Sequence, residues 1–185
     1  MRWRDDTLGI PVELAATTGA VTVDDLSPGE RAQMPGGDGP RRADWLRGRA
    51  ALKLLFDGLD TSTVAFPHPS LSLTHAAGLA VAARCDGGQA GLGVDFEGRR
   101  RIDPRAARFY LRDHEKGDLL RLWTVKEALF KATPDNAGGT LLDYEVAESH
   151  ALGGTATDRA GRRYRYASGR LRQGWLTIAV CRAAV

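Results

Sequence analysis

Residues Trp123 to Ala132 read W-T-V-K-E-A-L-F-K-A, a run without Gly or Pro that is rich in helix-favouring residues. The stretch predicts a helix. Trp123, Glu127 and Lys131 recur at helical spacing and share one face, so a carboxylate stands one turn from an ammonium group. Upstream, G-V-D-F-E (Gly93 to Glu97) predicts a strand in which Asp95 and Glu97 point to one face, and Val94 and Phe96 to the other. Carboxylates inside an apolar strand are costly to bury without a counter-ion. Together, Asp95, Glu97 and Glu127 make an oxygen-only ligand set suited to Mg2+, an ion that usually keeps water positions for substrate phosphates. No Cys or His joins them in a pattern that favours zinc.

These two motifs, preceded by L-S-L-T-H (Leu71 to His75), resemble the signature of the 4'-phosphopantetheinyl transferases, and the resemblance runs from about Leu71 to Ala132. Those enzymes move the phosphopantetheine arm of coenzyme A onto a serine of a carrier protein. The resemblance implies an α+β fold, a pseudo-twofold duplication of two similar α/β halves with the active site between them. It would be one domain over 1–185, with halves 1–87 and 88–185 meeting at the glycine-rich Asp86-Gly87-Gly88. It also implies Mg2+ held by Asp95, Glu97 and Glu127, with coenzyme A as co-substrate. Arg49, in G-R-A, would bind a coenzyme A phosphate, as would His75 and Lys131. Thr74-His75 stands where the family commonly has Ser-His and keeps the hydroxyl. Arg31, Arg41 and Arg42 are further cationic candidates. His68, in F-P-H-P where many members have a basic G-K-P segment, either donates to the ligand or sits in a rigid turn.

The mechanism so implied has the carrier serine attack the β-phosphate of coenzyme A. Glu127 would take the serine proton, and Lys131 would stabilise charge on the phosphoryl oxygens and on the departing 3',5'-adenosine bisphosphate. Lys126, about a quarter-turn from Glu127, either orients ligand or covers surface. Arg99, Arg100 and Arg101 would meet acidic residues of an acyl or peptidyl carrier protein, and Phe109 or Tyr110 an apolar spot on it; solvated arginines and core aromatics are the alternatives. Seven residues separate Glu115 from Trp123, fewer than in many members, which implies a trimmed carrier-facing loop. Length and Glu97 resemble the larger, monomeric members that serve peptide and polyketide synthases.

The repeat W-x-x-x-(R/E)-A-x-x-K, at Trp45 to Lys53 and Trp123 to Lys131, places Arg49 opposite Glu127. Each copy is followed by a Gly-led apolar strand ending in Arg, from Gly78 and from Gly174. The helix from Arg41 to Phe56 would turn Trp45, Leu52, Leu55 and Phe56 inward.

The chain of 185 residues is 43% hydrophobic and 26% charged, an ordinary globular balance. No apolar run approaches bilayer length, and M-R-W-R-D-D-T-L lacks the apolar centre of a secretory signal, so a cytoplasmic, non-membrane protein is expected. The net charge of +3 suits an anionic partner, whether nucleic acid, coenzyme A or an acidic carrier. Cys85 and Cys181 read as buried or idle thiols.

Among the remaining segments, Ile10 to Ala16 predicts a strand, followed by a turn-rich passage and Val21 to Val23. Ser27, Pro28 and Glu30 predict a capped helix start, and Pro35 to Pro40 a loop. Leu71 to His75 and Gly78 to Arg84 predict paired strands, with Leu71 and Leu73 toward the core and Ser72 on the other side. Asp103-Pro104 predicts a further helix, and Pro134 to Gly139 a loop that could close over the pantetheine arm. Leu141 to Val146, Tyr164 to Tyr166 and Trp175 to Cys181 predict strands. Interleaved Arg and Tyr from Arg159 to Arg172 read either as a nucleic-acid surface or as a half-buried edge hairpin, and alternation of the two tyrosines with Arg163 and Arg165 favours the hairpin. Two rivals to the transferase are a catalytically silent carrier- or coenzyme A-binding homologue and a basic nucleic-acid-binding domain.

Overall fold

A computed structural model describes residues 1–58, 60–87 and 89–182. In chain order its strands and helices are β1 (Arg2–Asp5), β2 (Val12–Thr17), α1 (Pro28–Gln33), α2 (Pro40–Leu55), β3 (Leu71–Ala76), β4 (Leu79–Cys85), β5 (Gln89–Glu97), α3 (Leu119–Lys131), β6 (Glu145–Val146), β7 (Gly153–Thr157), β8 (Arg163–Leu171) and β9 (Gly174–Arg182). Short 3-10 turns lie at Pro104–Phe109 and Leu141–Asp143. The protein is α+β, with two antiparallel sheets ordered β1-β2-β4-β3 and β5-β9-β8-β7-β6. The first sheet is drawn entirely from residues before Asp86, and the second entirely from residues after Gly87.

Alternation along the strands gives each sheet an inner and an outer face. Outside the first sheet, Ala51, Leu52 and Leu55 of α2 pack on Ala15, Ala80 and Ala82. Outside the second, Val125, Ala128 and Leu129 of α3 pack on Tyr164, Tyr166, Ala179 and Cys181. The inner faces meet each other: Val12, Leu14, Val81 and Ala83 cluster with Val94, Phe96, Ile178 and Val180. The layers therefore run helix, sheet, sheet, helix.

Along one side the sheets touch edge to edge, where β3 lies beside β5. Hydroxyls make this seam: Ser72 Oγ accepts the Val94 N–H at 2.9 Å, and Thr74 Oγ1 accepts the Phe96 N–H at 3.2 Å. Ser72 is consequently 2% exposed and Thr74 4%, while Leu73 turns toward α2. A strand flanked on both sides cannot leave its polar face to solvent, so the expectation that Ser72 faces away from the core is corrected.

Local signals set several boundaries as expected. Ser27 Oγ accepts the Glu30 N–H at 3.1 Å and Glu30 Oε2 accepts the Ser27 N–H at 2.9 Å, a reciprocal cap at the start of α1. Other segments differ. Strand β1 has no counterpart among the sequence expectations, and Val21 to Val23 lie in irregular and turn structure. Asp103 does cap, accepting the Arg105 N–H, but only a 3-10 turn follows. The Arg/Tyr segment does form a hairpin, β8–β9, yet β8 is an interior strand because β7 pairs on its other side. Gly88, at the expected junction of the halves, lies outside the described residues.

Candidate functional site

Helix α3 begins at Asp118, whose Oδ1 accepts the Leu120 and Arg121 N–H groups, each at 3.0 Å. Its C-terminal half lies unusually close to β5. A Cβ on Gly93 would sit 1.9 Å from the Ala128 carbonyl oxygen, and one on Gly91 would sit 2.0 Å from that of Ala132. These are contacts with backbone, which cannot rotate away as a side chain can. Gly91, Gly93, Asp95 and Glu97 occupy alternate positions and so share one face of β5. The glycines admit the helix, and the acids emerge beside its last turns. The two glycines are site residues that sequence reasoning missed, although their i, i+2 phase with Asp95 and Glu97 carries the signal.

Beside this contact lies a cleft of about 450 Å³ lined by Thr74, His75, Asp95, Glu97, Lys131 and Asn136, among others. It adjoins a second cavity of about 600 Å³ through the shared Phe66, Leu73 and His75. That second cavity runs over α2, where Arg41, Trp45 and Arg49 line it. Arg49 is held by its surroundings: Nη1 donates to the Thr61 carbonyl at 2.7 Å and Nη2 to Gln33 Oε1 at 2.8 Å, while the guanidinium lies 4.7 Å from the Trp45 ring centre. Arg42 instead pairs with Asp38 at 3.1 Å and lines neither cavity, and Arg31 donates to the Leu26 and Asp24 carbonyls. His75 is half-exposed, with Nδ1 3.8 Å from Asp44 Oδ2. His68 Nδ1 accepts the Ser70 N–H at 3.0 Å, tying it into its turn.

Asp95 is 5% exposed. Its Oδ1 accepts from Lys131 Nζ at 2.7 Å and from Thr74 Oγ1 at 3.1 Å, whereas Oδ2 is buried and accepts no hydrogen bond. Such an orphaned oxygen is rare and costly, and a cation or donor entering the cleft would satisfy it. Glu97 Oε1 accepts from Trp123 Nε1 at 3.1 Å and from Arg100 Nη2 at 2.9 Å. Burial pushes the Glu97 pKa up; Arg100 opposes this and Asp95 adds to it. Burial likewise raises Glu127, helped by Asp95 and resisted by Lys131. Burial, with neighbouring negative charge, thus marks Glu97 and Glu127.

That donor set fits a hard divalent cation in kind. In position it is not assembled: among the described residues no three His, Cys, Asp or Glu side chains are placed to hold a metal ion. Lys131 and Arg100 instead neutralise Asp95 and Glu97, and Glu127 is not part of the cleft lining.

Two other expectations are corrected. Lys126 neither covers surface nor reaches ligand, because its Nζ is fully buried, donating to Glu115 at 2.7 Å and to the Tyr144 carbonyl at 2.6 Å. Glu115 is satisfied further by the Arg112 and Val146 N–H groups. Tyr110 is fully buried, its hydroxyl donating to the Leu119 carbonyl and its ring edge-on to Trp123, which leaves Phe109 as the exposed aromatic of that turn. No family model matches the chain, and no curated protein matches it. No helix among the described residues is long and apolar enough to cross a membrane.

Proposed function

We propose that the protein is a 4'-phosphopantetheinyl transferase acting on a serine of an acyl or peptidyl carrier protein. The observation that carries the reading is the close passage of α3 over Gly91 and Gly93, which brings Lys131 against Asp95 at one end of a two-cavity groove, with Glu127, just outside the lining, within electrostatic reach of Asp95 and Glu97. Arg49 stands at the other end. A long ligand with separated phosphates suits that spacing of charge. The duplicated-halves reading draws support from α2 and α3, which carry the repeated W-x-x-x-(R/E)-A-x-x-K and each cover the outer face of their own sheet.

Asp95, Glu97 and Glu127 would hold Mg2+, which when bound supplies neutralisation of the coenzyme A pyrophosphate. Arg49, His75 and Lys131 bind phosphate oxygens, with Thr74 fixing the Asp95 carboxylate through its hydroxyl. The carrier serine oxygen bonds to the β-phosphorus as the bond to 3',5'-adenosine bisphosphate breaks. Glu127, with a pKa raised by burial, is the better proton acceptor for it. The reading includes a monomer working in the cytoplasm.

The test is intact-mass analysis of a panel of apo carriers incubated with the protein, coenzyme A and Mg2+, beside Glu127→Ala. A gain of one phosphopantetheine that needs Mg2+ and disappears in the variant supports the transferase. A second reading, a coenzyme A-binding homologue without catalysis, is favoured by Lys131 and Arg100, which already neutralise the strand carboxylates. It predicts coenzyme A binding with no mass gain on any carrier. Failure of coenzyme A to bind would end both.

A further inference from the structure

On the far side of Arg100 from the cleft is a pocket of about 530 Å³ lined by Arg99, Arg100, Arg170, Arg172, Asp118 and Trp175, with Leu120 and Gln173. Its arginines come from two segments remote in sequence: the exit of β5 and the tip of the β8–β9 hairpin. Asp118 is the one carboxylate among these lining residues, and its oxygens are engaged by the α3 amides, by Trp175 Nε1 at 3.0 Å and by Arg170 Nη2 at 3.8 Å. Four guanidinium groups thus gather where Asp118 is the one carboxylate of the lining; Arg100 is also paired with Glu97, and the remaining net positive charge favours an anion. Two further observations point to a ligand. Arg170 lies against Trp175, 3.8 Å from the ring centre, which holds its fork in place before anything binds. Arg172 takes a left-handed backbone conformation, φ +53, in the hairpin turn where Gly or Asn is the usual choice. Glycine would fit there without strain, whereas the arginine accepts the strain and places its side chain in the pocket lining.

We propose that this pocket is a second anion site, separate from the groove over α2, that takes a small ligand carrying two or more adjacent phosphate groups. The pocket's size falls in the range of small-molecule sites, and planar guanidinium forks match phosphate oxygens bidentately. Arg100 couples it to the cleft, because the same guanidinium that lines the pocket bonds Glu97 at 2.9 Å. An anion that draws Arg100 away frees Glu97, so occupancy of the pocket and cation binding at the cleft favour each other reciprocally. The anion site itself does not depend on the transferase reading, whereas its coupling to a cation at the cleft and the coenzyme A control rest on that reading.

The probe is inorganic tripolyphosphate, titrated calorimetrically into metal-free protein and into an Arg99→Ala/Arg172→Gly variant, with Arg49→Ala as the control for the other groove. Wild type and Arg49→Ala should share a salt-sensitive binding event that the double variant loses by about tenfold or more. The double variant should also melt no lower than wild type, since Arg172→Gly relieves the left-handed strain, and its coenzyme A affinity should be unchanged. Equal tripolyphosphate binding in the double variant, or loss of the event in Arg49→Ala alone, overturns the proposal. So does a fall in coenzyme A affinity in the double variant, which would make the pocket part of the coenzyme's own site. An oligoglutamate peptide that binds the pocket more tightly than tripolyphosphate would overturn it in favour of a docking surface for an acidic protein.

Discussion

Gly93→Ala should separate the geometry of the site from its composition. The added Cβ would stand 1.9 Å from the Ala128 carbonyl oxygen and 2.7 Å from the Ala132 nitrogen, where ordinary contact begins near 3.4 Å. Helix α3 must therefore recede by about 1.5 Å, the difference of 3.4 and 1.9, or β5 must bend by as much. Either movement stretches the 2.7 Å bond between Lys131 and Asp95 and carries Glu127 away from the strand carboxylates. Overpacking of this kind costs about 1–3 kcal/mol. For a chain of this length that corresponds to a fall in Tm of roughly 2–12 °C. On the proposed transferase reading the effect on activity is larger, because a displacement of about 1 Å at a reacting centre costs on the order of a hundredfold in rate. Differential scanning calorimetry and carrier-modification kinetics on the same preparation read both quantities. Gly169→Ala is the matched control, since a Cβ added there would meet nothing within 4 Å and should change neither. A Gly93→Ala protein with Tm within about 2 °C of wild type and activity within about threefold would refute the close-approach argument.

Three further outcomes are expected. Glu30 is fully buried beside Lys53; burial alone would raise its pKa, but the Thr61 hydroxyl and the Ser27 and Thr61 amides bring it down to about 2. A lowered folded pKa gives stability present above the unfolded value and lost as pH falls, so up to about 3 kcal/mol should disappear between about pH 4.5 and 2 in wild type and not in Glu30→Gln, measured by urea unfolding. Glu127 has the opposite sign: its raised pKa favours the protonated form in the folded state, so its contribution falls as pH rises past the unfolded value. Glu127→Gln should accordingly raise the Tm of metal-free protein at neutral pH while weakening any Mg2+-induced rise, and a lower Tm would contradict this. Lys126→Met leaves Glu115 charged and buried, which should cost about 3–5 kcal/mol by denaturant titration, whereas the double change with Glu115→Leu should recover part of it.

How far the sequence is readable depends on whether a signal is local. Helix α3 is set by its own residues: Asp118 caps it, no breaker interrupts it, and its apolar face matches the sheet. The Ser27–Glu30 cap on α1 is likewise local. Strand alternation alone puts Asp95 and Glu97 on one face, and they lie so. The features that escape the sequence are tertiary. Lys126 in a helix reads as solvated, and only the fold brings Glu115, eleven residues away, against it. Strand β7 begins with Gly153-Gly154, which signals a turn, and β1 is mostly charged, so both are strands only because a neighbour offers a ladder. Without β7 in view, an interior hairpin reads as an edge. The Ser72 hydroxyl reads as facing away from the core, and the Thr74 hydroxyl as a ligand contact, until β5 comes alongside.

That seam bears on how the protein behaves at high concentration. An unpaired strand margin is a template on which other chains add, and β5, with β9 on one side only, would present such a margin on the other. Here its N–H groups at Val94 and Phe96 are taken by Ser72 and Thr74, and the Val94 carbonyl accepts from Lys131 Nζ at 3.3 Å. Side chains thus close the margin without a partner strand. Replacing both hydroxyls, as in Ser72→Ala/Thr74→Val, adds little bulk yet strips the cover from two buried amides, and the expected consequence is a weakened seam whose opening on storage or during refolding lets the chain self-associate through β5.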